Sequence, residues 1–265
     1  MNASTAIGIG GGILLIAVTI AMSLEDPSAL WDPLSLVVVL GGTLAAAFIA
    51  FPMTELRRIT SVFFIVLRNE KMYPRDDMME LVEVARTLVK ADIRATEKKM
   101  ASIKNPFLRL GIQLVVDGAP IEDIIDIMSW RIQKLRAKEK AEAQVFRAMA
   151  SFAPAFGMIG TLLGLINMLG DLNQGMASIG ANMALAMITT LYGVIFANLL
   201  FKPIAMKFEQ RTLQRIALMN TIMQGVILLR QKRSPGVIEE TLETFSTERK
   251  DEISDPDGTS AKKAR

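Results

Sequence analysis

The sequence predicts an all-α membrane protein: four transmembrane helices in two hairpins, with a helical cytoplasmic region between them and a helical extension behind. Three observations carry this. All 30 Lys and Arg residues fall in two blocks, 57–147 and 202–265. The stretches 1–56 and 148–201 hold no cation, and their few acids, Glu25, Asp26, Asp32, Glu55 and Asp171, stand at segment ends. Those stretches also contain apolar runs of about 20 residues, the length that crosses a hydrocarbon core. Basic loops are retained in the cytoplasm, so the charge blocks put both termini inside and leave two short outer loops.

The first hairpin occupies residues 1–53. Its first span, Ala6 to Leu24, is N-terminal and apolar like a secretory signal, but it lacks the basic segment such signals carry and reads as a retained helix. Gly8 and Gly12 form a small-xxx-small face suited to close helix contact. The GIGGG run is no phosphate loop, since no strand precedes it and no Lys follows. SLEDPSALWDP, with two prolines, is the outer turn, and Leu34 to Met53 is the second span.

Residues 54–147 form the cytoplasmic region. ELRRITSVFFIVLRNE sets apolar residues against Arg57, Arg58 and Arg68, as in a helix lying along the membrane surface. A break at Tyr73-Pro74 precedes two amphipathic segments, DDMMELVEVARTLVKADI and PFLRLGIQLVVDG. Asp117-Gly118 ends the second, and Pro120 opens the next helix. There Ile121, Ile124, Ile125, Met128, Ile132 and Leu135 run towards the third span. The second hairpin, 148–203, joins its spans through DLNQGMASIGAN. A helical extension follows over 204–246, then a tail, 247–265, whose Ser, Asp, Lys and Gly predict disorder.

Composition narrows the function. The chain has 265 residues, 51% of them hydrophobic, and a formal net charge of +3. Its cations alternate with acids beside membrane exits, which marks orientation and lipid contact, not nucleic-acid binding. With no Cys and no His, it has no thiolate chemistry, imidazole base or imidazole metal ligand. No catalytic constellation emerges, and no cofactor is implied.

The chemistry lies in the second hairpin. Ala153, Gly157, Gly160, Thr161 and Gly164 share one side of the third span, and Ala186, Thr189, Thr190, Gly193 and Ala197 make a matching strip on the fourth. Two readings follow. The strips can be a packing seam whose Thr hydroxyls bond back to carbonyls one turn earlier. They can also be an ion path, because hydroxyl and carbonyl oxygens are neutral hard ligands for a small alkali cation and Pro154 leaves a carbonyl without a donor. Ion paths use an intramembrane ionisable group, and this chain has none mid-span. The essential carboxylate therefore comes from another polypeptide.

The motifs DPLSLVVVLGG, LVVDG, VFRAMASFAPAFGMIGTLLGLINML and MALAMITTLYGVIFANLLFKPIA, in this order, resemble the MotA/PomA family, the A-subunits of bacterial flagellar stators. Motif by motif the chain is most similar to the sodium-driven PomA type. The resemblance covers all but the tail. It implies a homopentamer around two copies of a MotB/PomB-type B-subunit, which brings the membrane Asp and a peptidoglycan anchor. It implies an inner-membrane ion-driven motor, not an enzyme, turning a rotor switch protein. Pro154 and Pro203 match the family's coupling prolines. Thr161, Thr189 and Thr190 match hydroxylated positions of the sodium-driven branch, so Na+ is expected over H+, passing transiently near Thr161 and Thr189. Asp32 matches an outer-loop acid. Lys90 and Glu97 match rotor-facing charges, with Arg86 or Arg94 standing in for an Arg that here is Val89.

Three other readings stay open. ExbB/TolQ-like energisers share the logic of the last two spans but have three spans in all, and a stand-alone channel or secondary transporter would need no partner. A membrane enzyme is the weakest of the three, because no acid, nucleophile or metal set lies at an interface.

Overall fold

A computed structural model of the chain describes residues 30–59, 74–89, 102–172 and 175–242, with Met100 and scattered helical positions between 8 and 22. Most of the expected first span, the tail at 247–265, and Lys90, Arg94 and Glu97 lie outside the described residues. Among the described residues there is no strand.

Helix α1, Pro33–Ala50, is the expected second span. Asp32 caps it, Pro33 supplies a fixed φ at the first position, and the backbone widens into a π turn over Val37–Gly41. Phe51 turns extended ahead of Pro52, which disfavours helix in the residue before it. A short helix follows at 53–59. Helix α2 is Pro74–Val89, and α3, Pro106–Val116, is capped by the Asn105 side chain on the N–H groups of Phe107 and Leu108. The expected stop at Asp117-Gly118 is present. Gly118 has φ +76°, which permits paired end bonds from Ala119 N–H to Leu114 and from Gly118 N–H to Val115.

Helix α4, Ile121–Gly170, runs 50 residues without a break and contains Pro154. Helix α5, Met176–Ile195, continues through a π turn at Phe196–Phe201 into α6, Lys202–Arg230. A last short helix covers 235–242. Among the described residues, three helical stretches are long and apolar enough to cross a membrane: Pro33–Ala50, Ile121–Gly170 and Ser178–Arg230. The sequence-drawn limits at 147/148 and 203/204 thus fall inside continuous helix.

The chain forms two compact units, Met1–Glu70 with Lys138–Thr212, and Lys71–Ala137 with Leu213–Arg265. In the first, Val39 and Ala47 of α1 join Val145, Phe146 and Ala153 of α4 and Phe201, Ala205 and Phe208 further on in one apolar cluster. Glu142 is 3% exposed in this unit, and Arg58 meets its carboxylate at 2.5 Å. Such pairing is what a buried charge requires. In the second unit, Leu81, Leu108, Ile112, Ile124, Met128 and Val226 build the core. Arg230 closes it by donating from Nε and Nη2 to the carbonyls of Ala119 and Gly118, at 2.7 and 3.0 Å.

Candidate functional site

Small residues bring α4 and α5 into backbone contact. A Cβ added at Gly160 would stand 2.5 Å from Thr189 Cβ, and one at Gly193 would stand 2.7 Å from the Ala153 carbonyl oxygen. Only hydrogen fits at either place. The expected strips therefore face each other, with Ala153, Gly157, Gly160 and Gly164 buried on one helix and Ala186, Thr189, Gly193 and Ala197 on the other.

The three threonines differ in burial and in their partners. Thr189 is 1% exposed, and its hydroxyl donates within its own helix to Ala186 at 2.9 Å or Leu185 at 3.2 Å. It fills the space that Gly160 leaves. Thr161 and Thr190 are half-buried and hydrogen-bond to each other across the seam. Thr161 Oγ1 also lies 3.1 Å from the Gly157 carbonyl and 3.2 Å from that of Ala186, and Thr190 Oγ1 reaches the Gly157 carbonyl at 3.4 Å. Four neutral oxygens thus converge: two hydroxyls and two carbonyls. Each hydroxyl has one proton to donate and lone pairs to spare, so the cluster is satisfied as a packing device and also holds the hard-oxygen chemistry that suits a small alkali cation.

Pro154 sits in α4 beside this seam, its Cα 3.1 Å from the position of an added Cβ on Gly193. It removes the donor for the Ala150 carbonyl. Pro203 is the second residue of α6, directly after the π turn. The Lys202 N–H reaches back to Ala197, a span of five residues, and this wider winding gives the Pro203 ring room that a regular helix would deny it.

Asp32 stands at the start of α1. One carboxylate oxygen accepts from the Ser35 N–H at 2.8 Å and from the Ser35 hydroxyl. Burial raises the carboxyl pKa, but the bonds from the Ser35 hydroxyl, the Ser35 N–H and the Leu34 N–H outweigh it and hold the group below its ordinary value. Arg86, in the other unit, is exposed and meets Glu239 at 3.2 Å, a surface pair of little energetic weight.

Sequence reasoning missed several polar contacts. Tyr192, inside the TTLYG motif, donates its hydroxyl to the Leu30 carbonyl and ties α5 to the residues before α1. Asn182 donates to Asp171 at 2.9 Å, across the turn that joins α4 and α5. A lone Tyr in an apolar span and an Asn near a turn acid were the available signals, because a polar tip in an apolar setting needs a partner.

The sequence pattern of the MotA/TolQ/ExbB proton channel family matches residues 99–221. Motility protein A of Borreliella burgdorferi is 31% identical over 247 residues, which cover 93% of this chain and 95% of that protein. Chemotaxis protein PomA of Vibrio alginolyticus is 33% identical over 251 residues, covering 94% and 97%. The structure superimposes on the flagellar MotAB stator complex from Bacillus subtilis with a TM-score of 0.83 at 25% identity, covering 94% of this chain and 98% of the other. It matches C. jejuni MotAB in fold with a TM-score of 0.85 at 21% identity, covering 92% and 96%.

Proposed function

Since the chain belongs to the MotA/TolQ/ExbB family, a family of channel proteins and not of enzymes, we propose that it is the A-subunit of a flagellar stator, coupling inward cation flow to torque. The near-full-length likeness to motility protein A and to PomA carries this reading. The B-subunit, a MotB/PomB-type chain, supplies the ionisable carboxylate that this chain lacks mid-span. Five copies of the A-subunit surround two of the B-subunit in the bacterial inner membrane, with both termini of the A-subunit in the cytoplasm.

Sodium is the transported ion in this reading, supported by the four neutral oxygens at Thr161 and Thr190. As sodium enters, these oxygens replace part of its water shell and pass it to the partner's carboxylate. Neutralising that carboxylate lowers its cost of lying beside apolar helix, and the ring of A-subunits steps round the anchored pair. Thr189, whose hydroxyl shares the Ala186 carbonyl with Thr161, lines the same path. Pro154 and Pro203 mark the places where α4 and α6 can change winding, and Asp32 stands at the outer end of α1. Lys90, Arg94, Glu97 and Arg86 contact the rotor switch protein.

The test is swimming of a stator-deleted strain that carries this chain with its B-subunit, in media where sodium is replaced by potassium at constant pH. Swimming should require sodium. Thr161→Val and Thr190→Val should each raise the half-saturating sodium concentration about tenfold, equivalent to ~1.4 kcal/mol for one lost ligand. Full speed without sodium in the unaltered protein would identify the proton as the driving ion and remove the ligand role from both threonines.

A further inference from the structure

An apolar cavity of about 430 Å³ opens in the first unit, away from the threonine cluster. Its size lies in the ~300–1,000 Å³ range of ligand sites. Ala47, Ile59, Phe146 and Phe201 line it and are each less than a tenth exposed. Phe48, 54% exposed, and Arg57, also exposed, belong to its rim. Among the described residues lining it, Arg57 is the one charged residue and every other side chain is apolar.

We propose that this cavity holds an acyl chain of an anionic phospholipid, with Arg57 donating to its phosphate. Location favours this occupant. Phe48 lies near the end of the apolar span Pro33–Ala50, and Arg57 lies beyond that end, so the cavity runs from hydrocarbon depth to the level of the headgroups. Wall chemistry agrees: among the described lining side chains water finds one guanidinium and otherwise apolar surface, and a void would forfeit dispersion contacts along the lining. Charge agrees as well. Arginine presents a planar fork that matches phosphate oxygens, and a cation at the cytoplasmic boundary attracts anionic lipid. The site goes beyond the motor reading and does not depend on which ion drives it.

The test uses the complex of this chain with its B-subunit, delipidated in mild detergent and titrated with phosphatidylglycerol or phosphatidylethanolamine of identical acyl chains. Native mass spectrometry counts the lipid retained per A-subunit. Phosphatidylglycerol should saturate near one per A-subunit and outcompete phosphatidylethanolamine. Arg57→Gln should reduce that preference at least fivefold with the assembly mass unchanged. Ala47→Leu, which fills the floor, should reduce retention of both lipids. Equal retention of the two lipids by the unaltered complex, or a preference that survives Arg57→Gln, would overturn the proposal. So would a change in subunit count with Ala47→Leu, which would mean that a second copy of the chain occupies the cavity.

Discussion

Asp32 shows how one side chain serves both backbone and charge. Its carboxylate satisfies helix N–H groups that have no intrahelical acceptor, and those bonds keep its pKa below the ordinary carboxyl value despite burial. A folded-state pKa that is depressed adds stability above the unfolded pKa of ~4, and that stability is lost as pH falls through the folded value. Thermal unfolding of the purified complex should therefore show an acid-side loss of stability that Asp32→Asn diminishes. Asp32→Ala should cost about 1 kcal/mol at neutral pH through the missing cap. Parallel pH profiles for wild type and Asp32→Asn would exclude a titrating cap. At this scale the sequence was only partly legible. Periodicity put Thr161, Thr189 and Thr190 on facing strips, but neighbours on a helix point about 100° apart, so Thr190 bonds the Thr161 hydroxyl directly while Thr189 meets it only through the shared Ala186 carbonyl. Packing against Gly160 decides that Thr189 turns inward. Nothing local announces that Arg58 will neutralise Glu142, 84 residues away.

Among the elements, some starts and stops were legible where the backbone needs special chemistry: the turn that closes on Asp32-Pro33, the stop at Asp117-Gly118 and the start at Pro120 all mark real ends, whereas the Asn105 cap went unread. Continuity was not. Composition changes sharply near 147 and 203 because the surroundings change, but helix hydrogen bonds are satisfied internally in either solvent, so α4 and the α5–α6 stretch pass through without a break. The π turn at Phe196–Phe201 was hidden too, since one extra residue accommodated in a helix has no composition of its own. It has a test. Deleting Asn198 should restore regular winding and push the Pro203 ring against a carbonyl one turn back, costing ~3 kcal/mol. Pro203→Ala in the same chain should recover most of that loss. If the deletion is equally damaging with and without Pro203, the wide turn does not exist to accommodate the proline. Thermal melting of the two variants decides between them.

For the molecule as a whole, the two compact units are not consecutive in sequence, and the chain passes between them three times, at 70/71 and, inside α4 and α6, at 137/138 and 212/213. This makes the units poor cassettes for exchange between relatives. A chimera must take 71–137 and 213–265 together, and it must keep the residue count at both helical junctions, because a slip of one residue turns everything beyond it by about 100°. Chimeras joined in register should assemble and melt within a few degrees of the parents, whereas a single alanine inserted at 137/138 should abolish assembly, as read by native mass. Tolerance of that insertion would mean that α4 absorbs the extra residue locally. A lineage that exchanges 71–137 together with 213–265 is thus held to an unchanged residue count across both helical junctions, and insertions accumulate elsewhere.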